Sequence, residues 1–301
     1  MRGYLILRPS HFLVVIATAL AVMLPAAVAA DIEKAREYYN VGVKESQAGN
    51  IEAAILAYQA ALSEDPDYID VYINMGAIFF EQKHYDHALD AFTTATEKDP
   101  QNAAAFANLG RVQYKLKKYS EAEKAFKSAI AADSTDGELY KELGKVYFYK
   151  KAYAEMIATL NTCHELGAGD HVSNYMLGKG YQKTGKDSQA IPAFKKSIEI
   201  KNDYYSSHFG LGQIYLGQLK YKSAASAFQA ALKANPKKYL ASYNYAVAVE
   251  SSDPENFDQS IRVWEDFIAL AKKNPKAKTK VGDAQSHVKD LKEAREQANL
   301  Q

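Results

Sequence analysis

From residue 35 onward, apolar residues fall at three- and four-residue steps broken by short polar turns. Within residues 69–102, Tyr72, Met75, Ile78 and Phe79 form one stripe, EQKHYD forms a turn, and Ala88, Phe92 and Ala95 form a second stripe before Pro100. That spacing predicts two amphipathic helices joined by a tight connection. The proline ends the second helix, because it lacks the amide and biases its predecessor away from helical angles. The stretch ALDAFTTATEKDP at 88–100 lies 34 residues after AILAYQAALSEDP at 54–66, so the hairpin is a recurring unit.

The interval holds along most of the chain. Steps of 34 from Gly42 reach Gly76, Gly110, Gly144, Gly178 and Gly212, then Ala246. An alanine follows twelve residues later (Ala54, Ala88, Ala122, Ala190, Ala224; Met156 in one copy), and Tyr58, Phe92, Phe126, Leu160, Phe194 and Phe228 come four further on. Glycine inside a helix costs about 0.5–1 kcal/mol relative to alanine, which points to close helix approach as its purpose. A fixed period of this length signals stacked structural repeats. The columns resemble the tetratricopeptide repeat, with its Leu-Gly, Ala, aromatic and Pro positions. The resemblance implies an all-α fold: a right-handed α-solenoid of helix-turn-helix hairpins.

Repeats are expected at 35–68, 69–102, 103–136, 137–170, 171–204 and 205–238, with a looser seventh at 239–272. The array as a whole is assigned to 31–272. Departures from the pattern include 137–170, which lacks the closing proline, and 171–204, which carries Pro192 inside its second helix, where a kink is expected. The seventh needs two extra residues near SSDPEN to align Ser260 and Trp264. Residues 273–301 read as a basic linker and a capping helix, with Ala284, Val288, Leu291, Ala294 and Ala298 as its apolar stripe. Such a helix covers the last exposed hydrophobic face of an array.

Residues 1–30 read differently. Arg2 and Arg8 precede the charge-free run FLVVIATALAVML and the small-residue tail PAAVAA, the layout of a secretory signal peptide. The 19 uncharged residues 12–30 also suffice for a membrane anchor. The expected location is therefore periplasmic or secreted after cleavage, or anchored with the repeats outside the cytoplasm; a membrane partner is expected only if the segment stays uncleaved.

Composition narrows the function classes. The 301 residues are 48% hydrophobic and 24% charged, with net charge +1, so no basic excess points to nucleic acid. Cys163, the single cysteine, excludes an intrachain disulfide and falls on a small-residue packing column. Gly180-Tyr-Gln-Lys-Thr-Gly-Lys-Asp187 approaches a phosphate-binding loop, but Asp187 stands where Ser or Thr is needed, and a helix-helix turn replaces the preceding strand. Gly210 and Gly212 begin a GxG that Tyr215 does not complete. His84 and His87 lack a third converging ligand and read as solvated turn residues. No catalytic, cofactor or metal site is expected, because repeats and cap occupy the whole chain.

Function is expected on the concave face that the family lines with its first helices. The resemblance places four positions there: three and two residues before each glycine, and one and four after it. They carry Tyr39, Asn40, Asn74, Phe80, Asn108, Arg111, Tyr114, Lys141, Lys145, Phe148, Tyr175, Lys179, Phe209, Tyr243 and Asn244. Asn40, Asn74 and Asn108 are expected to form a ladder able to hold a peptide backbone, since an amide both donates and accepts. Arg111, Lys141, Lys145 and Lys179 are expected to meet a carboxylate or acidic stretch. The expected role is a non-enzymatic interaction scaffold of the bacterial cell envelope that binds a peptide segment of a protein partner. An adaptor feeding a peptide or glycan to a catalytic partner, or a self-assembling structural protein, are the alternatives.

Overall fold

The computed structural model describes residues 26–300. The apolar run and the basic residues before it lie outside the described residues, while Ala26–Ala30 open the first helix. Among the described residues there is no strand, and no helix is long and apolar enough to cross a membrane.

The helices come in tandem pairs: α1 (Ala26–Ala48) with α2 (Ile51–Glu64), α3 (Ile69–Glu81) with α4 (Tyr85–Lys98), α5 (Ala103–Lys115) with α6 (Tyr119–Ala132), and α7 (Gly137–Lys150) with α8 (Tyr153–Glu165). Then follow α9 (His171–Lys183) with α10 (Asp187–Ile200), α11 (Tyr205–Gly217) with α12 (Tyr221–Ala234), and α13 (Tyr239–Ser252) with α14 (Phe257–Ala271). A 3-10 turn at Pro275–Ala277 leads into a final helix, α15 (Lys278–Ala298). This is the all-α solenoid fold of helix hairpins with a C-terminal helix. The described residues form two compact units, the first ending at Val71 and the second beginning at Tyr72.

In the first unit, α1 and α2 close around Tyr58, which is 1% exposed. A methyl added to Gly42 would lie 2.5 Å from the Tyr58 ring, so only glycine lets the ring in. Ala35, Ala54 and Ala61 are fully buried beside it.

The second unit repeats that solution. A methyl on Gly76 would sit 2.8 Å from Phe92, one on Gly110 3.0 Å from Phe126, and one on Gly178 or Gly212 2.6 Å from Phe194 or Phe228. Each phenylalanine is at most 1% exposed. The glycine removes the side chain that would hold the helices apart, and the ring fills the space.

The turns inside the hairpins share one backbone device. Gly49 in the first unit, and Lys83, Lys117, Lys151, Gly185 and Leu219 in the second, all have positive φ. The left-handed conformation costs a non-glycine residue roughly 1–2 kcal/mol. It allows two closing bonds at each helix end: Lys83 N–H donates to the Phe80 carbonyl, and His84 N–H donates to that of Phe79 at 2.8 Å. Lys117 and Lys118 repeat the pair on Tyr114 and Gln113.

Where the sequence departs from its pattern, the structure substitutes other chemistry. After α8, Gly167 turns at φ +76° in place of the missing proline. Asp170 then accepts from Ser173 N–H at 2.8 Å while the Ser173 hydroxyl accepts from Asp170 N–H, a reciprocal cap on α9. Pro192 lies in the second turn of α10, which runs unbroken to Ile200. α14 begins at Phe257, two residues beyond the 34-residue step from the start of α12 at Tyr221.

α15 packs Val281, Ala284, Val288 and Leu291 into the core around Trp264 and Phe267. The apolar stripe ends earlier than its spacing predicts: Ala294 is half-buried and Ala298 exposed. Ion pairs hold that end instead, Lys292 to Glu265 and Arg295 to Asp258, each at 2.7 Å.

Candidate functional site

The anticipated binding residues fall on the first helix of each hairpin. In the first unit, Tyr39 packs its ring 5.0 Å from Tyr68 and 6.0 Å from Tyr58, and Asn40 is exposed. The others belong to the second unit.

There the asparagines of the expected ladder are partly covered. Asn108 is only 9% exposed, and its carbonyl accepts from the Arg111 guanidinium at 3.0 Å. Asn74 and Asn244 are half-buried.

The basic middle is also rearranged. Lys141 pairs with Glu138 at 2.7 Å and Asp170 at 3.3 Å, and its side chain is 11% exposed. Its ammonium stays charged because those carboxylates outweigh a large desolvation, leaving the pKa raised. Lys145 pairs with Glu142 at 2.8 Å. Lys179 meets an amide, Gln182, at 2.6 Å. Burial, reinforced by Lys183, pushes its pKa down. Of the four cations, Arg111 and Lys179 thus have neutral side chains, Asn108 and Gln182, as their hydrogen-bond partners.

Three of the expected aromatic residues lie close to one another. Tyr114, Phe148 and Tyr175 belong to one unbroken series of rings. Tyr119 stands 5.9 Å from Tyr114, Tyr114 5.6 Å from Tyr149, Phe148 5.7 Å from Tyr149, Tyr175 6.2 Å from Phe148, and Tyr204 5.6 Å from Tyr175. Tyr149 also stacks on Tyr119 at 5.5 Å and 12°, with 54% of its own surface exposed. Phe80 belongs to a neighbouring edge contact with Tyr85, at 5.7 Å. Phe209 and Tyr243 pack inward: Phe209 on Phe228 at 5.6 Å, Tyr243 on Trp264 and Phe267 at 5.3 Å each, with Lys280 over the Tyr243 ring at 4.1 Å.

Tyr119, Tyr149 and Tyr204 were absent from the sequence-based face. A signal for Tyr119 existed, since Tyr85, Tyr119, Tyr153 and Tyr221 recur at multiples of 34. The signal for Tyr204 is subtler. Its position precedes a first helix, where Asn102, Asp136 and Asp170 cap their helices through side-chain hydrogen bonds. Tyr204 makes no such bond. Losing a cap of this kind costs about 0.5–2 kcal/mol.

The other candidate motifs are structural. Gly180 packs against Met156 and Ile157 within α9, and Gly185 makes the turn, so the near phosphate loop is a helix end. Gly210 faces Phe194 while Gly212 faces Phe228. Burial pushes the Cys163 thiol up to about 11, despite Lys141 nearby. His84 and His87 are exposed, and no group of three or more metal-ligating side chains occurs among the described residues.

Stacked helix hairpins define a helical-repeat protein, and the comparisons give the repeat its name. Models described as tetratricopeptide repeat match residues 79–145, 172–204 and 209–252, and one described as TPR repeat matches 45–83. The chain carries tetratricopeptide repeats. No curated protein matches it in sequence. Among solved structures, it resembles YrrB, described as a TPR protein with an unusual peptide-binding site, at 21% identity over 62% of this chain and 95% of that one, with a TM-score of 0.55. The C-terminal part of a TPR repeat-containing protein from Cytophaga hutchinsonii aligns at 18% identity over 79% of this chain and 97% of that one, with a TM-score of 0.64. The MamA protein aligns at 23% identity over 57% and 93%, with a TM-score of 0.53. At these identities the likeness is one of fold.

Proposed function

We propose that this protein is a non-enzymatic interaction scaffold that holds a peptide segment of a partner protein against the first helices of its repeats. The observation that carries the reading is the ring series from Tyr119 to Tyr204, with Tyr149 exposed and the other rings half-buried, near acids already paired with lysines. Aromatic side chains supply large contact area at modest entropic cost, which is why they dominate binding hot spots. Arg111 and Lys179 stand one helical turn from Tyr114 and Tyr175 and supply charge. The peptide-binding site named for YrrB, a protein of similar fold, supports the same use of the fold. The N-terminal pattern of Arg2, Arg8, an apolar run and small residues supports a location in the cell envelope, outside the cytoplasm.

A photo-crosslinking residue at position 149 of the full-length chain tests the binding face, with one at exposed Glu199 on α10 as control. Partner crosslinking from 149 and not from 199, lost on reversing Arg111 and Lys179 to glutamate, is the expected result. Equal crosslinking from both positions would reject the face.

A further inference from the structure

Resting on that reading of the face, we propose that its ligand is a proline-rich extended segment bearing acidic residues, with prolines seated on the rings around Tyr149 and carboxylates on Arg111 and Lys179. Three observations converge on this chemistry.

The first is the surface itself. Five tyrosines and Phe148 form a continuous series with steps of 5.5–6.2 Å, and Tyr149 is open at its centre. Grooves lined by aromatic rings take polyproline II segments, whose extended shape is set before binding and loses little entropy on docking.

The second is hydrogen-bond polarity. The Arg111 guanidinium and the Lys179 ammonium on this face can only donate, and the tyrosine hydroxyls can donate as well as accept. Burial, and then a hydrogen bond with Tyr149, keeps the Tyr114 phenol protonated. Burial holds the Tyr175 phenol at about 12. These hydroxyls remain donors throughout the physiological range. Proline is the residue that offers a carbonyl without an N–H. A segment rich in it matches a donor-rich wall and leaves no backbone amide stranded.

The third is charge. Glu138 and Asp170 share Lys141, and Glu142 pairs with Lys145, so each of these acids already has a cation beside it. Arg111 and Lys179 are left facing amides, and Lys179 is desolvated enough to lower its pKa. A half-buried cation without a carboxylate gains from one supplied by a ligand. Tyr204 adds to the argument from inside the fold. It occupies a position at which three other hairpins carry a capping side chain, and it contributes to the ring series instead.

The test is fluorescence anisotropy of the full-length chain with a fluorescein-labelled oligoproline ending in two glutamates, against a counterpart with alanine for every proline. The proline peptide should bind at least about tenfold more tightly, equivalent to about 1.4 kcal/mol. Tyr149→Ala should remove about tenfold of that binding, and Tyr149→Phe, which keeps the ring and loses the donor, should fall between. Because Tyr149 is largely exposed, circular dichroism should be unchanged in both variants. Equal binding of the alanine peptide, no binding of the proline peptide, or indifference to Tyr149→Ala would overturn the proposal. Crosslinking of a native partner from position 149 is independent of peptide composition. The binding face can therefore stand where the proline preference fails.

Discussion

The indole Nε1 of Trp264 donates to the Glu250 carboxylate at 2.7 Å. The same carboxylate lies 2.9 Å from His287 Nε2, so one side chain of α13 ties down α14 and α15 together. Trp264 is the only tryptophan in the chain, which makes its emission a local reporter of this junction. Glu250→Ala should cost about 1–3 kcal/mol, since two partners lose their acceptor in a half-buried site. A lower urea midpoint followed by tryptophan fluorescence, with little change in the helical signal at low urea, is the expected outcome.

Glycine to alanine should act with opposite sign at two kinds of position. Gly282 lies inside α15 with open space around it, so Gly282→Ala should stabilise by about 0.5–1 kcal/mol through helix propensity alone. Gly178 faces the Phe194 ring, and a methyl there would lie 2.6 Å from ring carbon. Gly178→Ala should destabilise by about 1–3 kcal/mol, the usual cost of overpacking a closed core. Chemical denaturation of both variants checks the contrast.

Cys163 should be silent to thiol reagents. It is fully buried on α8, and desolvation holds its thiol near 11, so almost no thiolate exists at neutral pH. Ellman's reagent should titrate no thiol in the native protein and one per chain in denaturant. Fast labelling under native conditions would contradict the packing described for α8.

Glu123 should contribute an acid-sensitive share of stability. Hydrogen bonds from Lys127 and then Lys150 hold its pKa at about 2, below the ordinary 4.5. A depressed carboxylate stabilises the folded state above its unfolded value and loses that contribution as pH falls through its folded value. The contribution is therefore complete above about pH 4.5 and gone near pH 2. Solvent screening keeps it below about 1 kcal/mol. Glu123→Gln should lower the urea midpoint at neutral pH and leave it nearly unchanged at the acid end.

Much of this fold is visible in the sequence because each hairpin is a local event. Gly110 and Phe126 are sixteen residues apart, and the same pair returns 34 residues on either side, once as Gly144 with Leu160. What escaped the sequence is chemistry without a residue signature. Lys83, Lys117 and Lys151 adopt a backbone state that lysine does not advertise, since the turn is forced by the packed helices around it. The pairing of Lys141 with Asp170 crosses 29 residues and depends on how α9 begins, so the sequence pattern did not show that partner. Lys145 with Glu142 was a readable one-turn pair whose consequence is electrostatic. The ring series needed Tyr149 and Tyr204, which sit outside the positions that the repeat pattern assigns to ligands.

The left-handed turn residues recur at 49, 83, 117, 151, 185 and 219. A gene encoding such a chain can gain or lose whole modules without remaking any junction. Excising residues 117–150 would bring Lys151 behind Leu116, setting a left-handed lysine where a left-handed lysine had stood. Cuts that do not match a whole number of these intervals would bring the wrong backbone state to the splice. The two extra residues ahead of α14 mark where that freedom to copy stops.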